Sequence, residues 1–296
     1  MKIFVSYVAI LCIWSTTPLG IKWSNSSLSF GSAITLRMVL ALLCCAVCLK
    51  VSRQPLIVQR RDWWVFMAGA LGLFPNMLIV YWSAQYISSG LMSVLLGFLP
   101  FFAGLFAWLL LRENILSPAR GFALIMALSG LWLIHCDQLA LSAQAVKGVL
   151  GMLVVAAIWG ASSVWVKSLG VDIQPLRQST GALLIATPCF VAYWLCTDAK
   201  IPSHVDAKSW LGVGYLVLAG SLIGHTLYFH VLRVCSLAAT SALTLITPLA
   251  AILLGYFALG ERLTPGELQG AGLIVLSLGV YTGVFKTVVQ RVNRLW

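Results

Sequence analysis

Few side chains in this sequence can do chemistry, and their positions limit which chemistry that is. The eight acids are Asp62, Glu113, Asp137, Asp172, Asp198, Asp206, Glu261 and Glu267. All fall in polar connections or at the ends of apolar runs. A mid-depth carboxylate relay, the usual carrier of protons through a pump, therefore has no candidate. Glu113 and Glu261 read as polar helix-end anchors beside Arg112 and Arg262. There is no HExxH, no GxSxG and no GxxxxGK[ST] pattern. Those patterns would announce a zinc hydrolase, a serine hydrolase or an ATP-driven motor. His135 and Asp137 are two apart and face different ways on a helix.

The remaining candidates sit inside apolar runs. Arg37 is one. A forked, permanently charged donor at that depth attracts a substrate carboxylate; the competing reading is snorkelling to the interface or binding backbone carbonyls. His225 and His230 flank Tyr228. A histidine exchanges protons near neutral pH, or else serves as a hydrogen-bonded packing residue. Trp14 and Trp159 differ from Trp63, Trp64 and Trp210, which fall where an interfacial aromatic belt is expected. Their faces either line a cavity for an organic or cationic substrate or pack helices. Pro75, Pro100, Pro188 and Pro248 interrupt apolar runs, and proline frees a backbone carbonyl. Asn76 follows Pro75, and Thr244 and Thr247 precede Pro248. These polar groups either meet a substrate or bond between helices.

The elements that carry these residues are set by composition. The chain has 296 residues, of which 60% are apolar and only 9% charged, and its mean hydropathy is +0.97. A soluble domain needs about 25% charged residues, so the class is a membrane protein. Eight cysteines lie mostly in apolar runs, as small hydrophobes. The apolar runs cover about 3–21, 30–49, 63–86, 90–111, 119–136, 148–166, 178–196, 209–230, 236–259 and 267–285. Each is long enough to cross a bilayer as a helix. The net charge of +11 belongs to the connections: thirteen Lys and Arg fall on the side of both termini, and five on the other. That bias predicts cytoplasmic termini.

The chain also repeats itself. WSTTPLGIK from Trp14 to Lys22 returns as WGASSVWVK from Trp159 to Lys167, and Ser93, Pro100 and Glu113 return as Ser241, Pro248 and Glu261. Five spans per copy is an odd number, so the second copy enters from the opposite face. The expected fold is all-α, with ten transmembrane helices as two inverted five-helix repeats: 1–137, 147–286 and a basic tail 287–296. Inverted repeats hold substrate near the midplane between the copies. Trp14 and Trp159 are then expected to line one pathway from opposite sides.

The paired Trp motifs, Pro100 and Pro248, and the segments LLLRENILSP and FALGERLTP resemble the EamA family of the drug/metabolite transporter superfamily. The resemblance covers nearly the whole chain. Ser15 departs from the glycine usual there, which Gly160 keeps. The resemblance implies ten helices, a cytoplasmic N-terminus and export of small metabolites across a bacterial inner membrane. It also brings an arginine to the position of Arg37, which favours the structural reading of that residue.

The sequence thus points to a secondary transporter for a small organic substrate, amino-acid-like or amine-like, working by alternating access. The site residues are Trp14, Arg37, Pro75, Asn76, Pro100, Trp159, His225, Tyr228, Thr244 and Thr247. Without a mid-depth acid, flow down the substrate gradient is favoured over a histidine-linked proton. The alternatives are a membrane-embedded enzyme and a non-transporting receptor or subunit. The expected partners are the substrate and the lipid bilayer, with no nucleic acid and no cofactor or metal. Gly279 and Gly283 offer a homodimer contact.

Overall fold

A computed structural model describes residues 2–87, 91–92, 95–112, 117–135, 143–197, 199, 204–247, 249–250 and 265–282. The described residues are helical throughout, joined by short turns. Helix α1 spans Lys2–Ser24, α2 Phe30–Val51, α3 Asp62–Leu71 and α4 Asn76–Ser83. A 3-10 turn at Leu96–Phe98 leads into α5, Leu99–Leu111. Then come α6 (Pro118–His135), α7 (Ala143–Ser168), α8 (Pro175–Thr197) and α9 (Ala207–Tyr215). A π-helical segment, Leu216–His225, joins α9 to α10, Thr226–Val234. Last are α11 (Leu237–Ser241) and α12 (Pro265–Thr282).

Among the described residues, six stretches are long and apolar enough to cross a membrane: Ile3–Ser24, Phe30–Val51, Asp62–Ser83, Gln144–Ser168, Pro175–Thr197 and Ala207–Val234. Each coincides with an expected span. Their outward faces carry Leu43, Val47, Leu150, Leu195 and Leu211, all exposed. Such surface suits acyl chains, in which only self-satisfied backbone survives. Trp63, Trp64 and Trp210 are exposed at helix starts, where the aromatic belt was expected. Glu113, Asp137, Asp198, Glu261, Ser93, Pro248 and Gly283 lie outside the described residues.

Local chemistry fixes the helix starts. Ser29, Asp206 and Ser236 cap α2, α9 and α11 by accepting from the backbone N–H of Ser32, Ser209 and Ala239. The prolines behave differently from one another. Pro188 stays inside a continuous α8. Pro75 ends a turn that separates α3 from α4. The expectation that Pro100 interrupts a helix is corrected: it stands in the first turn of α5, where its missing N–H costs nothing.

Helices pack as α2 on α8, α5 and α4 on α7, α3 on α8, and α1 on α9. Helices α6 and α12 pair closely; a Cβ on Gly130 would stand 2.6 Å from the Gly270 carbonyl, so only glycine permits this approach. Hydrogen bonds tie the two ends of the bundle. At one end, Asp206 accepts from the hydroxyls of Ser26 (2.7 Å) and Ser27 (3.1 Å), joining the α1–α2 turn to α9. At the other, Arg177 pairs with Asp62 at 2.7 Å and also donates to the Leu56 carbonyl. There too, Lys167 donates to the carbonyls of Leu232 and Cys235, filling the C-terminus of α10.

Candidate functional site

A π-helical segment and a break between α3 and α4 both border one cavity within the bundle. Helix α1 contributes Trp14, Thr17, Pro18 and Ile21. These recur at intervals of three, four and seven, so they form one face. At 1.5 Å per residue they extend about 10 Å from Trp14 towards the α1–α2 turn. Helix α2 contributes Arg37, and α4 contributes Met77 and Val80. Met92 and Leu96 face them, and Thr244 and Thr247 close another side.

Both neighbouring irregular segments serve this space. The break before Pro75 lets α4 start with Met77 towards the cavity. The π segment places Gly220 and His225 on its wall. These two are five residues apart, the spacing that π-helical hydrogen bonds bring into register.

Trp14 and Trp159 form the floor, and Tyr228 packs against both rings from behind. Trp14 and Trp159 meet edge-on with centroids 5.0 Å apart and planes at 62°. Tyr228 lies 5.5 Å from Trp14 and 5.6 Å from Trp159. Edge-to-face geometry sets the positive rim of one ring against the negative face of the next. The Tyr228 hydroxyl shares a 2.6 Å hydrogen bond with Ser163, which itself donates to the Trp159 carbonyl. The tryptophans were expected on opposite sides of one pathway. They instead touch, because α1 and α7 bring their motif starts to the same depth.

Arg37 is 2% exposed, which overturns the snorkelling reading. Its Nε donates to Ser221 Oγ at 3.1 Å and its Nη1 to the Tyr81 hydroxyl at 3.4 Å, and among the described residues no carbonyl accepts from it. The guanidinium also lies 6.0 Å from the Tyr81 ring centroid. A central arginine costs about 2.5–3.5 kcal/mol by insertion scales. A hydrogen bond to a charged group returns about 1.5–3 kcal/mol. The Ser221 bond has normal length and the Tyr81 bond is long, so compensation by the protein is partial.

Of the ten residues expected at a site, Trp14, Arg37, Trp159, His225, Thr244 and Thr247 line this one cavity. Tyr228 is not on its wall; it packs against Trp14 and Trp159 and borders a smaller space with Trp159 and His225. Three further placements are corrected. Asn76 is fully buried and turns back to donate to the Gly72 carbonyl at 3.2 Å, so it stabilises the broken helix instead of facing the space. Pro75 and Pro100 shape the backbone and are not on the wall. The threonine hydroxyls donate within their own segment, Thr244 to Ser241 and Thr247 to Leu243, which leaves their lone pairs for a ligand. Thr17, Pro18, Ile21, Met77, Val80, Met92 and Leu96 were not singled out from sequence. Helical spacing from Trp14 would have found the first three. Gly220 carries GxxxG spacing with Gly224, which reads as close helix packing; its place on the cavity wall depends on the π segment.

Comparison with known proteins gives the following. The model of the EamA-like transporter family matches twice, over residues 2–136 and 146–283. The uncharacterized transporter YoaV of Bacillus subtilis is 24% identical, over 96% of this chain and 98% of its own. An uncharacterized transporter of Archaeoglobus fulgidus is also 24% identical, over 97% of this chain and all of its own. One crystal structure superposes on 97% of this chain and 98% of its own with a TM-score of 0.76 at 16% identity, a likeness of fold.

Proposed function

Since this chain belongs to the EamA-like transporter family, a multi-pass membrane protein of transporter type, we propose that it is a secondary transporter exporting small amino-acid-like or amine-like metabolites. The observation that carries this reading is the contact of Trp14 with Trp159 at the cavity floor. The two residues open the two copies of one motif, and they meet where inverted repeats place a substrate. Asp62–Ser83, broken at residues 72–75, and Ala207–Val234, continuous but carrying the π segment, occupy matching places in the two copies. Helix irregularities often mark functional sites, and transport sites are commonly built at broken helices.

On this reading the repeats are inverted and both termini lie in the cytoplasm of a cell with the protein in its inner membrane. The cavity then opens outwards, above the ring floor. Rocking one repeat against the other parts Trp14 from Trp159 and exposes the same walls to the inside. A substrate body stacks on the rings while Thr244 and Thr247 accept hydrogen bonds from its polar groups. Flow follows the substrate gradient.

The test is a comparison of metabolite excretion by cells with and without the protein, followed by uptake into vesicles holding the purified chain. Saturable movement of amino acids or amines without an imposed proton gradient is expected. Movement of inorganic ions or sugar phosphates alone would refute the substrate class.

A further inference from the structure

We infer that Arg37 is the charge-selecting anchor of the cavity: it holds the carboxylate of a small substrate, so that carboxylate-bearing molecules are accepted and purely cationic amines are refused. This rests on the transport reading above and narrows the substrate class within it.

The guanidinium is held in place before any ligand arrives. Ser221 Oγ fixes Nε at 3.1 Å and the Tyr81 hydroxyl fixes Nη1 at 3.4 Å. A Cβ on Gly220 would stand 3.0 Å from Nη2, so glycine leaves that nitrogen its room. Both protein partners are neutral oxygens. Among the described residues, no Asp or Glu lines the cavity and Nη2 has no hydrogen-bond partner. A desolvated oxyanion completes this arrangement, because a guanidinium fork matches a carboxylate with two parallel hydrogen bonds.

His225 lines the same cavity and is 8% exposed; among the described residues its buried Nδ1 has no hydrogen-bond partner. Buried polar groups are normally satisfied, so a guanidinium edge left without a partner on a cavity wall marks a place for a polar ligand. The other walls, with Ile21, Met77, Val80, Met92 and Leu96, are apolar. One anionic end and an apolar or aromatic body fit this pattern. The tryptophan faces attract cations, but that attraction is weaker than the repulsion between two unit charges in a partly buried site.

The test uses the full chain in lipid vesicles and three labelled probes with one ring and different charges: phenylalanine, 3-phenylpropionate and phenethylamine. Uptake is measured above the leak of empty vesicles. The two carboxylates are expected to enter saturably, and phenethylamine about tenfold more slowly or worse. Arg37→Gln should lower carboxylate uptake about tenfold and bring the probes near parity; Arg37→Lys should fall between. If Arg37→Gln does not elute as a monodisperse species, Ser221→Ala and Tyr81→Phe replace it. They keep the charge and loosen the fork, so KM for the carboxylates should rise with kcat retained. Equal uptake of phenethylamine and 3-phenylpropionate by the unmodified protein overturns the inference, as does an unchanged preference in the variants. If none of the three probes moves, a metabolite library in the same vesicles decides. A carboxylate that Arg37→Gln no longer moves supports the anchor. A cationic or uncharged hit overturns it and leaves transport standing. No hit at all removes the transport reading and this one with it.

Discussion

Replacing Trp159 with alanine probes whether the ring contact at the cavity floor serves transport or only packing. Trp159 meets Trp14 at 5.0 Å and Tyr228 at 5.6 Å, both edge-on. Each such pair is worth about 0.5–1.5 kcal/mol beyond its area, so the two contacts together account for about 1–3 kcal/mol. Truncating a packed tryptophan to alanine costs about 3–5 kcal/mol in all. Part of the Trp159 surface already borders the cavity, so the lower end applies, about 3 kcal/mol. A cycle of Trp14→Ala, Trp159→Ala and the double variant isolates the shared term. Its expected coupling is about 0.5–1.5 kcal/mol, or about two- to twelve-fold in kcat/KM. The assay is initial uptake into vesicles per amount of correctly inserted protein, with thermal unfolding in detergent as the control. Both single variants should transport more slowly than the unmodified protein. Wild-type rates in both, or losses that simply add in the double variant, would refute a joint role for these rings.

Two ion pairs should behave oppositely. Asp62 and Arg177 are 3% and 14% exposed, so Arg177→Met leaves a buried charge and should cost about 3 kcal/mol or more in detergent unfolding. Arg233 and Asp172 are 39% and 71% exposed, so Arg233→Met should cost less than about 1 kcal/mol; equal losses would contradict the burial argument. At the α1–α2 end, hydrogen bonds from the Ser209 and Ser26 hydroxyls, the Ser209 N–H and the Ser27 hydroxyl hold the Asp206 carboxyl well below the ordinary aspartate range. A depressed carboxylate stabilises the fold above its unfolded titration, near pH 4, and loses that contribution as pH falls through the folded value. The Tm gap between the unmodified protein and Asp206→Asn should therefore be full at neutral pH and shrink only in acid below about pH 4; a gap that instead closes between neutrality and pH 5 would contradict this. With native cysteines replaced, a thiol at His204 should react with an impermeant reagent added outside cells, and one at Gln54 should not; the reverse pattern would invert the proposed topology.

Composition alone determined the class of this protein. A chain with 9% charge cannot cover a soluble surface, and hydrophobic runs of fixed length are legible because a helix must satisfy its own backbone in lipid. Among the described residues, the six long apolar stretches accordingly fall where the apolar runs predicted. The paired motifs likewise led to the family, since motif order and spacing are properties of the sequence itself. The tertiary structure decided how those residues meet. Trp14 and Trp159 are 145 residues apart, and only the packing of α1 near α7 sets their rings 5.0 Å from each other. Arg37 has no intrinsic preference between interface and interior. Its burial depends on Ser221, Tyr81 and the space above Gly220, which come from distant segments. The π segment that aligns Gly220 with His225 has no local residue signature, because one extra residue per turn is selected by what the helix packs against. Asn76 is adjacent to a cavity residue in sequence yet faces away from it, since its amide answers the carbonyl freed at the helix break. Sequence periodicity reports the face of a single element; which faces enclose a common space depends on helices that the chain brings together over long separations.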